Sequence, residues 1–217
     1  MLSPVFRLDT PATLGLQAVA FTLHGLDNHH HSPQLQRRLQ SLRRAFDPSH
    51  SLSYQHGFQA LRQVLDHATS SYPPSPQTLF EQNRRHGQLR SISPLVDLYN
   101  QWSLNSGLSI VAYDLQRVQL PVRLALTRGG EIFNGLGSPP SALLPAGEYA
   151  YFDAANRVLC RMEHRQAAAS AVQAHTSAAL IIVQGHAATP ANYLRNVAEV
   201  LKADLLECCG RVFRRAG

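Results

Sequence analysis

The sequence predicts an α+β fold in which short-stranded sheets pack against helices within a single domain. Three observations predict it. Helical spacings dominate residues 1–91 and return after 189, whereas strand-like runs crowd the middle of the chain. Those strands do not alternate with helices, which argues against a doubly wound parallel sheet. Finally, 217 residues of which 44% are hydrophobic suit one large domain that buries most of its unfolded surface without a disulfide or metal staple. The expected division is a helix-rich part (1–91), a core region (92–188) and a C-terminal amphipathic helix (189–217).

The elements follow in order. GLQAVAFTLHGL (15–26) is apolar, rich in β-formers and ends in Gly-Leu-Asp-Asn turn chemistry, so it reads as a buried strand. Ser32-Pro33 is a cap followed by a first-turn proline, and Leu35, Leu39, Leu42 and Phe46 then recur at helical spacing. A second helix is expected near 56–69, with Phe58, Leu61, Val64, Leu65 and Ala68 as its apolar face. SSYPPSPQ (70–77) breaks it, and Ser75-Pro76 opens a short helix to about His86. SPLVDLYNQWSLNSG (93–107) is a helix from Pro94 to a stop at Gly107. After Gly107 the period changes, and SIVAYDL, PVRLALT, EYAYFD, NRVLCRM and AALIIVQG read as short strands. Thr189-Pro190 starts the last helix, with Val197, Leu201, Leu205, Cys208 and Val212 as its apolar stripe.

Composition narrows the function. Only 16% of residues are charged and apolar runs recur throughout, so the body of the chain is not disordered. No stretch approaches the ~20 apolar residues of a membrane span. The start lacks the basic-then-apolar pattern of a secretory leader. Cys160, Cys208 and Cys209 are an odd set without zinc spacing, which suits reduced thiols in a cytoplasm. Twenty Lys+Arg against fourteen Asp+Glu give a formal charge of +6, and Lys202 is the only lysine. Arginine forks onto phosphates, so the bias fits RNA or another polyanion as partner; a genome rich in arginine codons is the other source of such a bias. Arg37, Arg38, Arg43 and Arg44 on one helix, with Arg214 and Arg215 at the end of the chain, are the expected RNA contacts.

Several patterns imitate chemistry without supplying it. His29, His30 and His31 are contiguous in a polar loop, and adjacent side chains rarely converge on one metal, so no metal is expected. GGEIFNGLG (129–137) lacks the Lys-Ser/Thr ending of a phosphate loop and reads as hairpin punctuation. There is no Gly-x-Ser-x-Gly elbow, and Cys160 sits in an apolar run as a core residue would.

The informative segment is ISPLVDLYNQWSLNSGLSIVAYD (92–114). Val96, Asp97, Tyr99 and Asn100, then Gly107, Ala112, Tyr113 and Asp114, resemble the motif of the aminoacyl-tRNA editing domain of the phenylalanyl-tRNA synthetase β subunit, and more closely its free-standing relatives. The resemblance continues through 123–133, 145–153, 158–166 and 176–185. Pro74-Ser75-Pro76 and Asn83-Arg84-Arg85-His86-Gly87 extend it to the free-standing members. There are departures. Tyr99 stands where the synthetases have threonine, Val111 falls at their editing-site histidine, and their tyrosine-reading glutamate falls near Ile182.

The resemblance implies a trans-editing deacylase that hydrolyses the ester of a mischarged tRNA, without cofactor, membrane or DNA. Relatives acting on canavanyl-tRNA(Arg) give the specific expectation. An activated ester needs a positioned water and oxyanion donors more than a strong nucleophile. Asn100, Asp97 and His164 are the catalytic candidates; Asn100 would hold the ester or ribose and His164 would move a proton. Tyr99 and Tyr113 are substrate-binding candidates, Tyr99 by stacking on the terminal adenine, a contact of about 1–3 kcal/mol. Glu131, Glu163 and Arg165 complete the substrate set, the two carboxylates as readers of a guanidinium-like side chain. The alternative is a non-catalytic RNA-binding module using a relic of the pocket.

Overall fold

Strand β10 (Ala178–Gly185) organises the fold. In the computed structural model, which describes residues 4–65, 72–137 and 141–211, it pairs antiparallel with β2 (Gln17–His24) on one side and β3 (Ser109–Asp114) on the other. It has no solvated face, which is why its sequence is apolar without alternation. Ala179, Ile181 and Val183 meet helices, while Leu180 and Ile182 meet a second sheet.

That second sheet runs β1 (Phe6–Leu8), β4 (Val122–Arg128), β7 (Ala146–Phe152), β8 (Val158–Arg161), β9 (Arg165–Gln166). β1 lies parallel to β4 and every other pair is antiparallel. Its inner face presents Val122, Leu124, Tyr149, Tyr151 and Leu159 to Tyr113, Leu180 and Ile182. Its outer face, with Ala125, Ala150, Phe152 and Val158, is covered by Phe133 and Leu144 around the two-stranded β5 (Ile132–Phe133) and β6 (Ala142–Leu143). The glycine-rich run at 129–137 therefore leads into a small β-ribbon and opens no helix.

Helices form the third layer. α1 (Pro33–Arg44) contributes Leu35, Leu39 and Leu42; α4 (Pro94–Ser106) contributes Leu95, Val96, Leu98 and Tyr99; α5 (Ala191–Cys209) contributes Leu194, Val197, Leu201 and Leu205. The expected α+β sandwich of sheet, sheet and helices is what the chain forms. Ser32 caps α1, accepting from Leu35 N at 3.1 Å, and α4 stops at Gly107 with a left-handed φ of 71°. A Cβ at Gly107 would also fall 2.3 Å from Ser51 O. α3 (Ser75–His86) spans the expected residues.

α2 (Pro48–Val64) departs from expectation at both ends. Asp47 accepts from Ser49 N at 2.9 Å, so the helix begins about two turns before the apolar spacing becomes visible. Val64 is 68% exposed rather than packed, and Ala68 lies outside the described residues, as does Val212 of the α5 stripe. β1, β5, β6 and β9 were not anticipated, since two or three residues carry no period. Among the described residues, no helix is long and apolar enough to cross a membrane.

Gly57 lets α2 approach the end of β10. A Cβ there would fall 2.0 Å from the His186 ring, which is fixed by Tyr54 O on Nε2 (2.5 Å) and by Ala188 N on Nδ1 (3.2 Å). Alanine ordinarily favours a helix by about 1 kcal/mol over glycine. Here overpacking costs roughly 1–3 kcal/mol and also breaks a buried hydrogen bond. Gly57→Ala is thus expected to lower Tm in thermal denaturation; a rise would show that the imidazole relocates freely.

Candidate active site

A cavity of about 160 Å³ opens where α4, β3 and the β8–β9 turn meet the first turn of α3. Tyr99 and Asn100 come from α4, Ser109, Ile110 and Val111 from β3, and Ser75 from α3. Tyr151, Cys160, Glu163, His164, Arg165 and Gln166 complete the lining. The β8–β9 turn reaches inward because Met162 adopts a left-handed φ of 49°, Ser75 N donates to Glu163 O (3.0 Å) and Gln166 Nε2 donates to Ala112 O (2.6 Å).

One wall of the cavity is a buried polar network. Glu163 Oε1 accepts from Arg62, and Oε2 accepts from the Tyr149 hydroxyl and, at 3.4 Å, from Gln184. Arg62 has no exposed surface; it also donates to the Tyr149 hydroxyl (2.5 Å) and to Tyr72 O (3.1 Å). Gln184 accepts from the Tyr151 hydroxyl. Burial, then the Glu163 charge, pushes the Tyr149 hydroxyl well above its ordinary range, so it stays a donor. Nearby, Arg161 forks onto Glu148 (2.7 and 2.5 Å) and lies 3.9 Å over the Tyr72 ring.

Two side chains in the lining keep hydrogen-bonding capacity in reserve. The Asn100 amide has no side-chain partner among the described residues. His164 Nδ1 faces Pro73 O at 2.9 Å. A carbonyl only accepts, so Nδ1 carries the proton and Nε2 retains its lone pair. Burial, with the charges of Arg165, Arg62 and Arg161, holds His164 below the ordinary histidine pKa despite the Pro73 bond. Cys160 also lines the cavity, but burial pushes its thiol far above the usual range and leaves no thiolate for attack.

A model of the B3/4 domain matches residues 63–197, more than half of the chain. The chain belongs to the B3/4 domain family. No curated protein matches it. Among solved structures, an N-terminal fragment of the phenylalanyl-tRNA synthetase β-subunit from Pyrococcus horikoshii is similar at 14% identity and a TM-score of 0.46. That likeness covers 55% of this chain and 42% of the other, so the chain spans less than half of that fragment.

Within this B3/4 domain the sequence-predicted residues are only partly gathered. Asn100, Tyr99, Glu163, His164 and Arg165 line one cavity. Tyr99 is 7% exposed and packs in the helix-side core, so it forms a wall and offers no open face to an adenine. Tyr113 is fully buried between the sheets and does not line the cavity. Asp97 stands outside the lining; its carboxylate caps the start of α4, accepting from Ile92 N (2.6 Å), Ser93 N (3.2 Å), Ser91 Oγ (2.5 Å) and His31 Nε2 (2.8 Å). Glu131 also stands outside and accepts from Arg128 N (2.6 Å) and Gly129 N (2.9 Å) of its own turn.

Val111 and Ile182 are direct cross-strand partners in β3 and β10; Val111 lines the cavity and Ile182 is buried between the sheets. Arg37, Arg43 and Arg44 are exposed on α1, but Arg38 is committed: it donates to Asp204 (2.7 Å) and lies 5.7 Å over the ring of Trp102, whose Nε1 donates to the same carboxylate at 2.7 Å. Arg214 and Arg215 lie outside the described residues. His30 and His31 turn to different carboxylates, Asp27 and Asp97, and no group of three His, Cys, Asp or Glu able to hold a metal occurs among the described residues. Sequence reasoning missed Arg62, Tyr149 and Gln184. Gln184 alone left a trace, as the one polar residue in the apolar run AALIIVQG.

Proposed function

We propose that this B3/4 protein is a trans-editing aminoacyl-tRNA deacylase that hydrolyses the ester of a mischarged tRNA. One observation carries the reading: an unpartnered amide, Asn100, and a neutral imidazole with a free lone pair, His164, line the same amino-acid-sized cavity. The resemblance of residues 92–114 to an editing domain supports it. In this mechanism His164 Nε2 takes a proton from the attacking water. The Asn100 amide donates to the oxygen that gains charge as the carbonyl becomes tetrahedral, a contact stronger in the transition state than in the ground state. Collapse of that intermediate releases the amino acid and the ribose hydroxyl, to which the imidazolium returns its proton. Exposed Arg37, Arg43 and Arg44 are the proposed phosphate contacts.

A canavanine-specific reading asks for a carboxylate facing the oxy-guanidine. Among the described residues Glu163 is the only carboxylate in the cavity lining, and Arg62 already holds it. The geometry therefore supports the deacylase more than this particular substrate.

The test is the pH dependence of deacylation. His164 must be neutral to accept a proton, and its pKa is lowered. The rate should be level near pH 7 and fall only as pH drops through that depressed value, with a midpoint below the ordinary histidine value of about 6.5. His164→Ala should remove this limb and slow hydrolysis by about 10²-fold. A limb that survives the substitution assigns the proton acceptor elsewhere, and tRNA binding without hydrolysis at any pH would favour the non-catalytic module.

A further inference from the structure

An arginine side chain, Arg62, already holds the one carboxylate of the described cavity lining. We propose that the cavity accepts the acyl group of a small, uncharged amino acid, and that Arg62 sets this class by filling the seat on Glu163 that a cationic side chain would otherwise take. The inference rests on the deacylase reading and names the substrate class of the same site.

Three observations carry it. The first is charge. Glu163 is 3% exposed, both of its oxygens are engaged, and the buried Arg62 guanidinium neutralises it. A guanidinium or ammonium entering the cavity would meet Glu163 with its charge already matched, and the described lining offers no other carboxylate. Desolvating a cation without a counter-charge is strongly unfavourable.

The second is space. A cavity of about 160 Å³ holds roughly five water molecules, about the number of heavy atoms in an alanyl or seryl group and about half that of an arginyl group. An aromatic side chain is excluded on the same ground, because Tyr99 and Tyr151 occupy the walls.

The third is Val111, an apolar residue of the lining that asks a short side chain for no hydrogen bond; Ile110 points to the other face of β3. Arg62 reaches Glu163 from α2, next to the first residue of the B3/4 match.

The experiment charges total tRNA chemically with alanine, serine, arginine, canavanine, lysine or phenylalanine in turn and measures hydrolysis by the full-length protein. Alanyl and seryl esters are expected to be cleaved at least about 10-fold faster than the other four, within the range that a single pocket achieves. Equal or faster cleavage of the arginyl, canavanyl, lysyl or phenylalanyl ester overturns the inference and leaves the deacylase intact. No cleavage of any ester removes the deacylase, and this inference falls with it.

Arg62→Ala then tests the residue. Freeing Glu163 and its space should raise the lysyl-to-alanyl and arginyl-to-alanyl rate ratios about 10-fold, and Arg62→Lys should restore the wild-type ratios. A purely structural arginine would slow every ester alike and leave the ratios unmoved, which would overturn its assigned role. Should Arg62→Ala fail to fold, the wild-type series still decides the substrate class and Arg62→Lys the role of the residue: wild-type ratios support it, and ratios shifted toward cationic esters overturn it.

Discussion

Replacing Asn100 with alanine is expected to slow deacylation by about 10²-fold or more while the protein remains folded. The amide makes no side-chain hydrogen bond among the described residues, so truncating it breaks nothing within the fold. What is lost is a donor whose worth appears only when the ester oxygen gains charge. The loss should therefore fall on kcat, with KM little changed. Asn100→Asp should be slower still, because an anion replaces the donor beside a developing anion. Single-turnover kinetics on a charged tRNA, with circular dichroism to check the fold, reads both effects. A folded Asn100→Ala protein of undiminished rate would exclude the residue from the mechanism.

The second large effect is on stability. Arg62 and Glu163 form an ion pair in which neither side chain has more than 1% of its surface exposed. Removing one partner leaves the other buried and uncompensated, at a cost of about 3–5 kcal/mol. For a domain of this size that is a fall in Tm of roughly 6–20 °C. Arg62→Met and Glu163→Gln should each show it. The double variant should be more stable than the sum of the two predicts, since it buries no unpaired charge. Urea denaturation of the four proteins gives the coupling directly. Strict additivity would mean that water reaches the pair and that each charge is solvated on its own.

These two sites differ in how far the sequence reveals them. Asn100 is legible because a short motif fixes it six residues after a proline start, and helix geometry turns spacing into position. The helices α1, α3, α4 and α5 are legible because their apolar residues repeat at helical spacing, and strands β2, β3, β4, β7, β8 and β10 because short apolar, β-forming runs lie between turn residues. Arg62 is not. In the sequence it is one arginine among many, on a helix whose start was placed too late. Only tertiary packing brings it 101 residues along the chain to Glu163. Glu163 itself was legible as a polar residue after a strand, but its partner was not, so it was cast as a reader of substrate when its charge is already matched. Asp97 and Glu131 fail for the opposite reason. Their backbone partners lie only a few residues away, with the Ser91 hydroxyl and the His31 ring added on Asp97, and a local cap leaves the same trace as a catalytic carboxylate.

Trp102 is the only tryptophan of the chain, and its indole donates to Asp204 beneath the Arg38 guanidinium. It sits among the helices, on the far side of β10 from the space between the two sheets, which Tyr113, Tyr149 and Tyr151 fill. The molecule thus carries an intrinsic optical reporter for one layer. Emission excited at the red edge of the absorption band follows the helical layer alone, whereas the tyrosines divide between that layer, with Tyr54, Tyr99 and Tyr193, and the seam between the sheets. Loosening of the helices over an intact pair of sheets therefore changes this emission without any added dye.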